Sequence, residues 1–187
     1  MEYEIRPVRP DEWREVRELR LASLQDPAAP IAFMETYEQA LTRPDEFWQA
    51  RANRSSHGMT ALQFVAAARH DGRWLGSVVV LVEEPGAADI FGETVKERQA
   101  QLVGVYVRPE ARGSGVTRGL FAEATEWALA LDGVERVRLF VHEDNERAEK
   151  AYRRFGFVPT GHAVANPGEA GKVDREMEFR PDPMGPA

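Results

Sequence analysis

Cysteine is absent from this chain of 187 residues. The absence removes disulfide frameworks, thiolate zinc sites and any mechanism that routes an acyl group through a cysteine nucleophile. Basic residues are outnumbered: 24 Lys and Arg stand against 31 Asp and Glu, a formal net charge of −7. Such a field repels phosphate backbones and anionic lipid and favours cationic partners, so nucleic-acid binding is not expected. Long apolar runs are missing too. None exceeds the length of Val78-Val79-Val80-Leu81-Val82, which falls far short of the roughly 20 residues that cross a bilayer. The opening Met1-Glu2-Tyr3-Glu4 does not read as a signal peptide. A cytoplasmic protein with no membrane partner is expected. Its length is that of one domain, which at this size buries about 70% of its unfolded surface without disulfide or metal staples.

Tyr3 to Val8 alternates polar with apolar residues and predicts a first strand. Asp11 is placed to cap a helix carrying Trp13, Val16, Leu19, Leu21 and Leu24. A second helical region from Phe33 to Ala52 is split in two by Arg43-Pro44, because a residue before proline is pushed out of the α region. Strands over Leu62 to Arg69 and Trp74 to Glu83 flank His70-Asp71-Gly72-Arg73, a hairpin signal. Glu84 to Gln99 reads as a long connection with a helical turn around Glu93 to Arg98. Gln101 to Val107 is apolar on both faces, as a central strand would be. Val116, Leu120, Phe121, Ala124, Ala128 and Leu131 then share one face of a helix over Gly115 to Leu131. A strand over Arg136 to His142, a helix over Asn145 to Arg154, and strands over Phe157 to Gly161 and Val173 to Phe179 complete the order. This order predicts an α/β fold, a mixed sheet with helices on its faces. One domain over residues 1–180 and a loose tail over 181–187 are expected.

The segment from Val107 through Arg112-Gly113-Ser114-Gly115-Val116-Thr117-Arg118 joins a buried strand to a helix N-terminus. The first N–H groups of a helix lack internal partners and carry partial positive charge, so a phosphate can accept from them. Gly113 and Gly115 permit close approach to the backbone, and Arg112 adds a full charge. No Gly-Lys-Ser/Thr follows, which excludes a Walker loop. The segment resembles motif A of the GNAT superfamily of acyl-CoA-dependent N-acetyltransferases: Arg or Gln, two residues, Gly, one residue, Gly or Ala. Arg112, Gly115 and Thr117 fall on those positions. Thr117 departs from the pattern, although its N–H survives and its hydroxyl can donate. A second segment, Leu139 to Phe157 with Asn145, Ala151, Tyr152 and Gly156-Phe157, looks like motif B of the same family. Pro30-Ile31-Ala32-Phe33 with Thr36 is similar to a pattern in many uncharacterised bacterial members.

The resemblance implies a mostly antiparallel central sheet of about six to seven strands and acetyl-CoA as cosubstrate, with no metal. It further implies cofactor contacts from Val105, Tyr106 and Val107 on the central strand. Arg112, Gly113, Ser114, Gly115, Val116, Thr117 and Arg118 would add theirs in the loop, and Asn145 at the next helix start. The backbone N–H of Tyr106 or Val107 would polarise the acyl carbonyl. The acceptor is then a primary amine of a small molecule or peptide, attacking directly. Tyr152 is the candidate acid for the departing thiolate. The base is left open. Gln101 stands where a carboxylate would be sought, and an amide cannot take the proton. Glu83, Glu84, Glu97 and His142 are candidates, each read more readily as a solvated surface residue. His57, His70 and His162 have no partner spacing for a metal. The acidic residues Glu35, Glu38, Asp45, Glu46, Asp89 and Glu93 would suit a cationic acceptor. A non-catalytic acyl-CoA-binding module is the alternative, and a homodimer through exposed strand edges is expected on analogy alone.

Overall fold

The computed structural model describes residues 2–181; the expected tail lies, from residue 182 on, outside the described residues. The chain forms β1 (Tyr3–Pro7), α1 (Trp13–Leu24), α2 (Tyr37–Leu41), α3 (Asp45–Arg54), β2 (Ala61–Ala68), β3 (Trp74–Glu83) and β4 (Gln99–Val107). It continues as α4 (Val116–Leu129), β5 (Val137–His142), α5 (Glu146–Phe155), β6 (Phe157–Ala165) and β7 (Val173–Phe179). The seven strands make one sheet in the order β1-β2-β3-β4-β5-β7-β6. Every neighbouring pair is antiparallel except β4 and β5, whose parallel pairing requires a crossover, here α4.

The Asp71-Gly72 hairpin forms as read, with Gly72 at φ 73° and its N–H donated to the Ala68 carbonyl. Thr36 caps α2 in a reciprocal box with Gln39, and Pro44 precedes α3, so the proline break separates two helices. On one face of the sheet α4 buries Val116, Leu120, Phe121, Ala124 and Ala128 against Phe64, Val78, Leu102 and Leu139. On the other face α1 and α3 pack Val16, Leu19, Trp48 and Ala52 against Val65, Ala67 and Tyr106.

Three local expectations are corrected. Asp11 does not cap α1. The position before the helix is Glu12, whose carboxylate instead accepts from the Arg9 N–H at 2.8 Å and from the Arg6 guanidinium. No helical turn forms over residues 93–98: Val95 is buried and its N–H joins the Ala87 carbonyl, in a small bridge between Ala88 and Thr94. Six residues make too short a nucleus for a helix when one buried valine holds them extended. Finally, Gly161 does not end β6. Its φ of 89° lies in a bulge, between pairings at Pro159 and Ala163, and the strand runs on to Ala165.

Candidate functional site

The centre of the sheet is split. Pairing of β4 with β5 stops at Leu102 and Leu139, although β4 continues to Val107 and β5 to His142. The cause is on the β3 side. Val79 pairs with Val103 and Ser77 with Tyr106, so Gly104 and Val105 together face the single residue Val78. This extra residue bends the strand, and Gly104 takes φ 61°, a conformation that favours glycine. Between the diverging strands lies a cleft of about 820 Å³. Its walls include Gln101, Val103 and Val105 from β4 and Leu139, Phe140 and His142 from β5. Residues from both faces of the sheet line it, so the opening passes between the strands.

Beyond β4, residues 112–118 lead into α4 as the sequence predicts. Gly113 and Gly115 have φ 78° and 89°, and a side chain at Gly113 would meet nothing within 4 Å. Gly115 is the cap position of α4 and supplies no side-chain acceptor. The first backbone bond runs from the Gly119 N–H to the Gly115 carbonyl, leaving the N–H groups of Val116, Thr117 and Arg118 without a backbone acceptor among the described residues. These open donors, with exposed Gly113, Ser114, Gly115 and Arg118 around them, fit a pyrophosphate. Arg112 is placed differently. Its Nε donates to the Val107 carbonyl at 3.1 Å and its outer nitrogen pairs with Asp26 after α1. Burial raises the Asp26 pKa, but the Ala28 N–H and Arg112 outweigh it and hold the carboxyl below its ordinary value. Tyr106 turns its ring away from the cleft, into the packing of α1 and α3. Arg108 donates its N–H to the Leu75 carbonyl, and Tyr106 pairs with Ser77; strand alternation therefore directs the Val107 N–H to the opened side.

Tyr152 and Asn145 both line the cleft, as their spacing on one helix predicts. Asn145 also caps α5, accepting from the Ala148 N–H at 3.2 Å. Tyr152 is half-buried against Phe121, ring centroids 5.5 Å apart. Burial pushes its pKa up to about 12, with Arg147 opposing weakly. Gly156 in the left-handed conformation ends the helix, its N–H shared by the Tyr152 and Arg153 carbonyls.

The base candidates separate. Glu84 is exposed and pairs with Arg98 at 3.0 Å, and Glu97 is exposed. Glu83 and His142 are not surface residues: they are 8% and 3% exposed. Glu83 accepts from Arg138 at 2.9 Å and from Gln99 at 2.8 Å, in a buried cluster that also joins Arg138 to Asp89 and Glu176. Burial raises the Glu83 pKa beyond what Arg138 and Gln99 offset. The strand-end position suggested solvent; the partner that buries Glu83 stands 55 residues away. His142 accepts from the Asp144 N–H on Nδ1 at 3.1 Å, which puts a ring proton on Nε2, a buried atom with no hydrogen-bond partner among the described residues and the Glu169 carboxylate 3.7 Å away. Neither ring nitrogen is free to accept. Gln101 is 1% exposed, with its Oε1 unpaired among the described residues.

The acidic residues are also distributed differently from the expectation. Of the six, only Glu35 and Glu38 line the cleft; Asp89 is spent on Arg138, and Glu93 pairs with His162. Three arginines that sequence reasoning missed, Arg20, Arg51 and Arg54, line it as well. They come from α1 and α3, and nothing in the linear order marks them as converging.

The model of the acetyltransferase (GNAT) family matches residues 13–157, and the chain belongs to that family. Over 134 residues it is 32% identical to mycothiol acetyltransferase of Brachybacterium faecium; the match spans 71% of this chain and 36% of that protein's length. An acetyltransferase of the GNAT family from Streptococcus pneumoniae superposes with TM-score 0.73 at 20% identity, covering 95% of this chain and 98% of that one. Spermidine N-acetyltransferase from Vibrio cholerae, in complex with CoA and spermine, superposes with TM-score 0.67 at 19% identity, covering 95% and 94%. The mostly antiparallel seven-stranded sheet flanked by helices is the shared architecture. Among the described residues no His, Cys, Asp and Glu group could hold a metal ion, and no helix is long and apolar enough to cross a membrane.

Proposed function

We propose that this chain transfers an acetyl group from acetyl-CoA to a primary amine by direct attack. The carrying observation is the split between β4 and β5, with a cleft walled by Asn145 and Tyr152 at it and unpaired N–H groups at the start of α4, in the loop that follows β4. When bound, acetyl-CoA supplies an acyl group on a thioester. The N–H groups of Val116, Thr117 and Arg118 hold the pyrophosphate, with Gly113, Ser114 and Gly115 leaving it room. Arg112, clamped by Asp26, sets the shape of that loop. The Val107 N–H and the adjacent Val105 backbone stabilise charge on the acyl oxygen, and Asn145 bounds the arm.

In balance, the amine nitrogen forms a bond to the acyl carbon and loses a proton, the carbon–sulfur bond breaks, and the sulfur leaves as a thiol. A free amine at pH 7.4 costs about 4 kcal/mol relative to its ammonium form. The enclosed His142 nitrogens and the amide of Gln101 do not meet that need, so the proton leaves through water in the cleft. With a pKa near 12, full proton transfer from Tyr152 to a thiolate of reference pKa near 8.5 is uphill by about 5 kcal/mol. Tyr152 therefore acts as a hydrogen-bond donor to the departing sulfur, and the thiol's proton comes ultimately from the amine through solvent.

Thiol release from acetyl-CoA across a panel of amines, including amino acids, polyamines, aminoglycosides and peptide N-termini, tests this reading. Turnover with at least one acceptor is expected. A protein that binds CoA yet gives a flat trace with every amine would instead be the non-catalytic module. Tyr152→Phe is expected to lower kcat about tenfold or more while leaving CoA affinity within twofold; unchanged kcat removes Tyr152 from the reaction.

A further inference from the structure

The cleft wall formed by α1 and α3 carries positive charge that the protein leaves unneutralised. Arg20 pairs with Glu35 at 3.2 Å, and Arg43 approaches the same carboxylate at 3.6 Å. Arg51 and Arg54, in the last turn of α3, have no ion-pair or hydrogen-bond partner for their guanidinium groups among the described residues. Arg51 is half-buried. Burial, with Arg20 and Arg54 adding repulsion and Glu35 opposing, brings its pKa down to about 10, so it stays charged at neutral pH. Two further acids line the cleft from other elements and pair with neither arginine: Asp174 on β7 accepts both contacts of the Asn166 amide, and Glu38 is exposed on α2. Basic residues at a helix C-terminus complement its dipole, but that role asks only for exposed side chains. A half-buried, unpaired arginine facing a cleft in a chain of net charge −7 calls for an anionic ligand.

We infer that the amine acetylated here also bears an anionic oxygen group, a carboxylate or phosphate, which docks on Arg51 and Arg54 while the nitrogen faces the split between β4 and β5. The inference rests on the acetyl-transfer reading and reverses the cationic acceptor that the acidic composition suggests. Arg51 offers the planar fork that a two-oxygen group matches, and Arg54 supplies a second charge at the mouth.

The test measures kcat/KM by thiol release for matched acceptors: ω-amino carboxylates of graded length, α-amino acids, aminoalkyl phosphonates, and the corresponding monoamines and diamines. The best anionic acceptor is expected to exceed its matched monoamine and diamine at least tenfold, and the carboxylate and phosphonate arms show which anion is used. Arg51→Gln should shrink that anionic-to-neutral ratio tenfold or more, and Arg51→Lys should restore part of it. Equal or better use of the diamine by the natural sequence overturns the inference while leaving acetyl transfer standing. If no amine releases thiol, acetyl transfer fails instead, and calorimetric titration of 5-aminopentanoate and pentylamine into the CoA-loaded protein decides. Binding of the amino acid that is absent for pentylamine and lost in Arg51→Gln upholds the anion site; no binding, or equal binding, overturns it.

Discussion

Through β2, β3, β4 and β5 the sheet presents Phe64, Val78, Leu102 and Leu139 to α4 on one face. On the other, the ends of β3, β4, β5 and β7 present Glu83, Gln99, Arg138 and Glu176, all at most 8% exposed. The α4 face is held by apolar area and close packing, which tolerate any partner of the right volume. The opposite face is apolar only where α1 and α3 cover it; at the ends of β3, β4, β5 and β7 it is held by buried charges, each of which depends on particular partners. The first arrangement supports; the second leaves a polar floor beside a cleft. An apolar floor would have no charge to hold charged side chains in place, and a polar face under α4 would have had to satisfy every buried group.

Phe121 is the centre of the apolar face. Its ring is fully buried and meets Tyr152, Phe155 and Phe157 at centroid distances of 5.5, 5.2 and 5.7 Å. Phe121→Ala is expected to cost about 4 kcal/mol in denaturant unfolding, from lost transfer energy and the cavity left behind. A cost under about 1 kcal/mol would mean that α4 and α5 collapse to refill the space.

On the polar face the corresponding cut is Arg138→Met. It removes the shared partner of Glu83, Asp89 and Glu176, leaving Glu176 with Arg136, and breaking a buried ionic cluster on one side costs about 3 kcal/mol. The pH dependence carries the sign. Burial opposes ionisation of Asp89 and Glu176, but Arg138 with other donors holds both below their ordinary values, so their stabilisation is present near neutrality and fades as acid protonates them. Without Arg138 all three carboxyls shift upward: Asp89 keeps the Phe91 and Glu93 N–H donors and Glu176 keeps Arg136 and Thr160, so the penalty falls mainly on Glu83, already above its ordinary value, and grows as pH increases and ionises it. The cost of Arg138→Met should therefore be larger at pH 7 than at pH 4. A pH-independent cost, or none, would show that the cluster is solvated rather than buried.

The two faces also differ in how far they could be read in the sequence. The α4 face is written in a 3.6-residue period, and the loop before it in glycines whose spacing is local. The hairpin signal marked the pairing of β2 with β3, but no local signal placed β7 between β5 and β6. The polar face has no such period. Glu83 reads as a strand end meeting water until Arg138 is brought beside it, and His142 reads as exposed until its ring is enclosed with Asp144 donating to it. The cationic wall was hidden for the same reason, since Arg20 and Arg51 stand on different helices. Local amphipathicity survives translation into one dimension, whereas pairing of charges across the sheet does not.

Between the faces, Gly104 sets the split itself. Its nearest neighbour for an added Cβ is Val79 Cγ2 at 3.9 Å, so Gly104→Ala meets no clash, and its cost is conformational, about 1 to 2 kcal/mol for a side chain at φ 61°. The informative readout is activity beside stability. If the bulge holds β4 away from β5, kcat/KM for thiol release should fall more than tenfold while the fold remains cooperative. A variant that loses stability but keeps full turnover would show that the strands diverge without the bulge.

The smallest change separates the two jobs of Asn145. As the cap of α5 it accepts from the Ala148 N–H, and as a cleft residue it stands on the same wall as Tyr152. Asn145→Ala removes both and should cost about 1 kcal/mol of stability. Asn145→Ser keeps an acceptor at the cap but loses the amide, so its stability should return to within a few tenths of the natural value. CoA affinity then decides the assignment. Weak binding in both variants places the Asn145 amide on the cosubstrate, whereas binding that recovers with the cap in Asn145→Ser reduces its role to starting the helix that carries Tyr152.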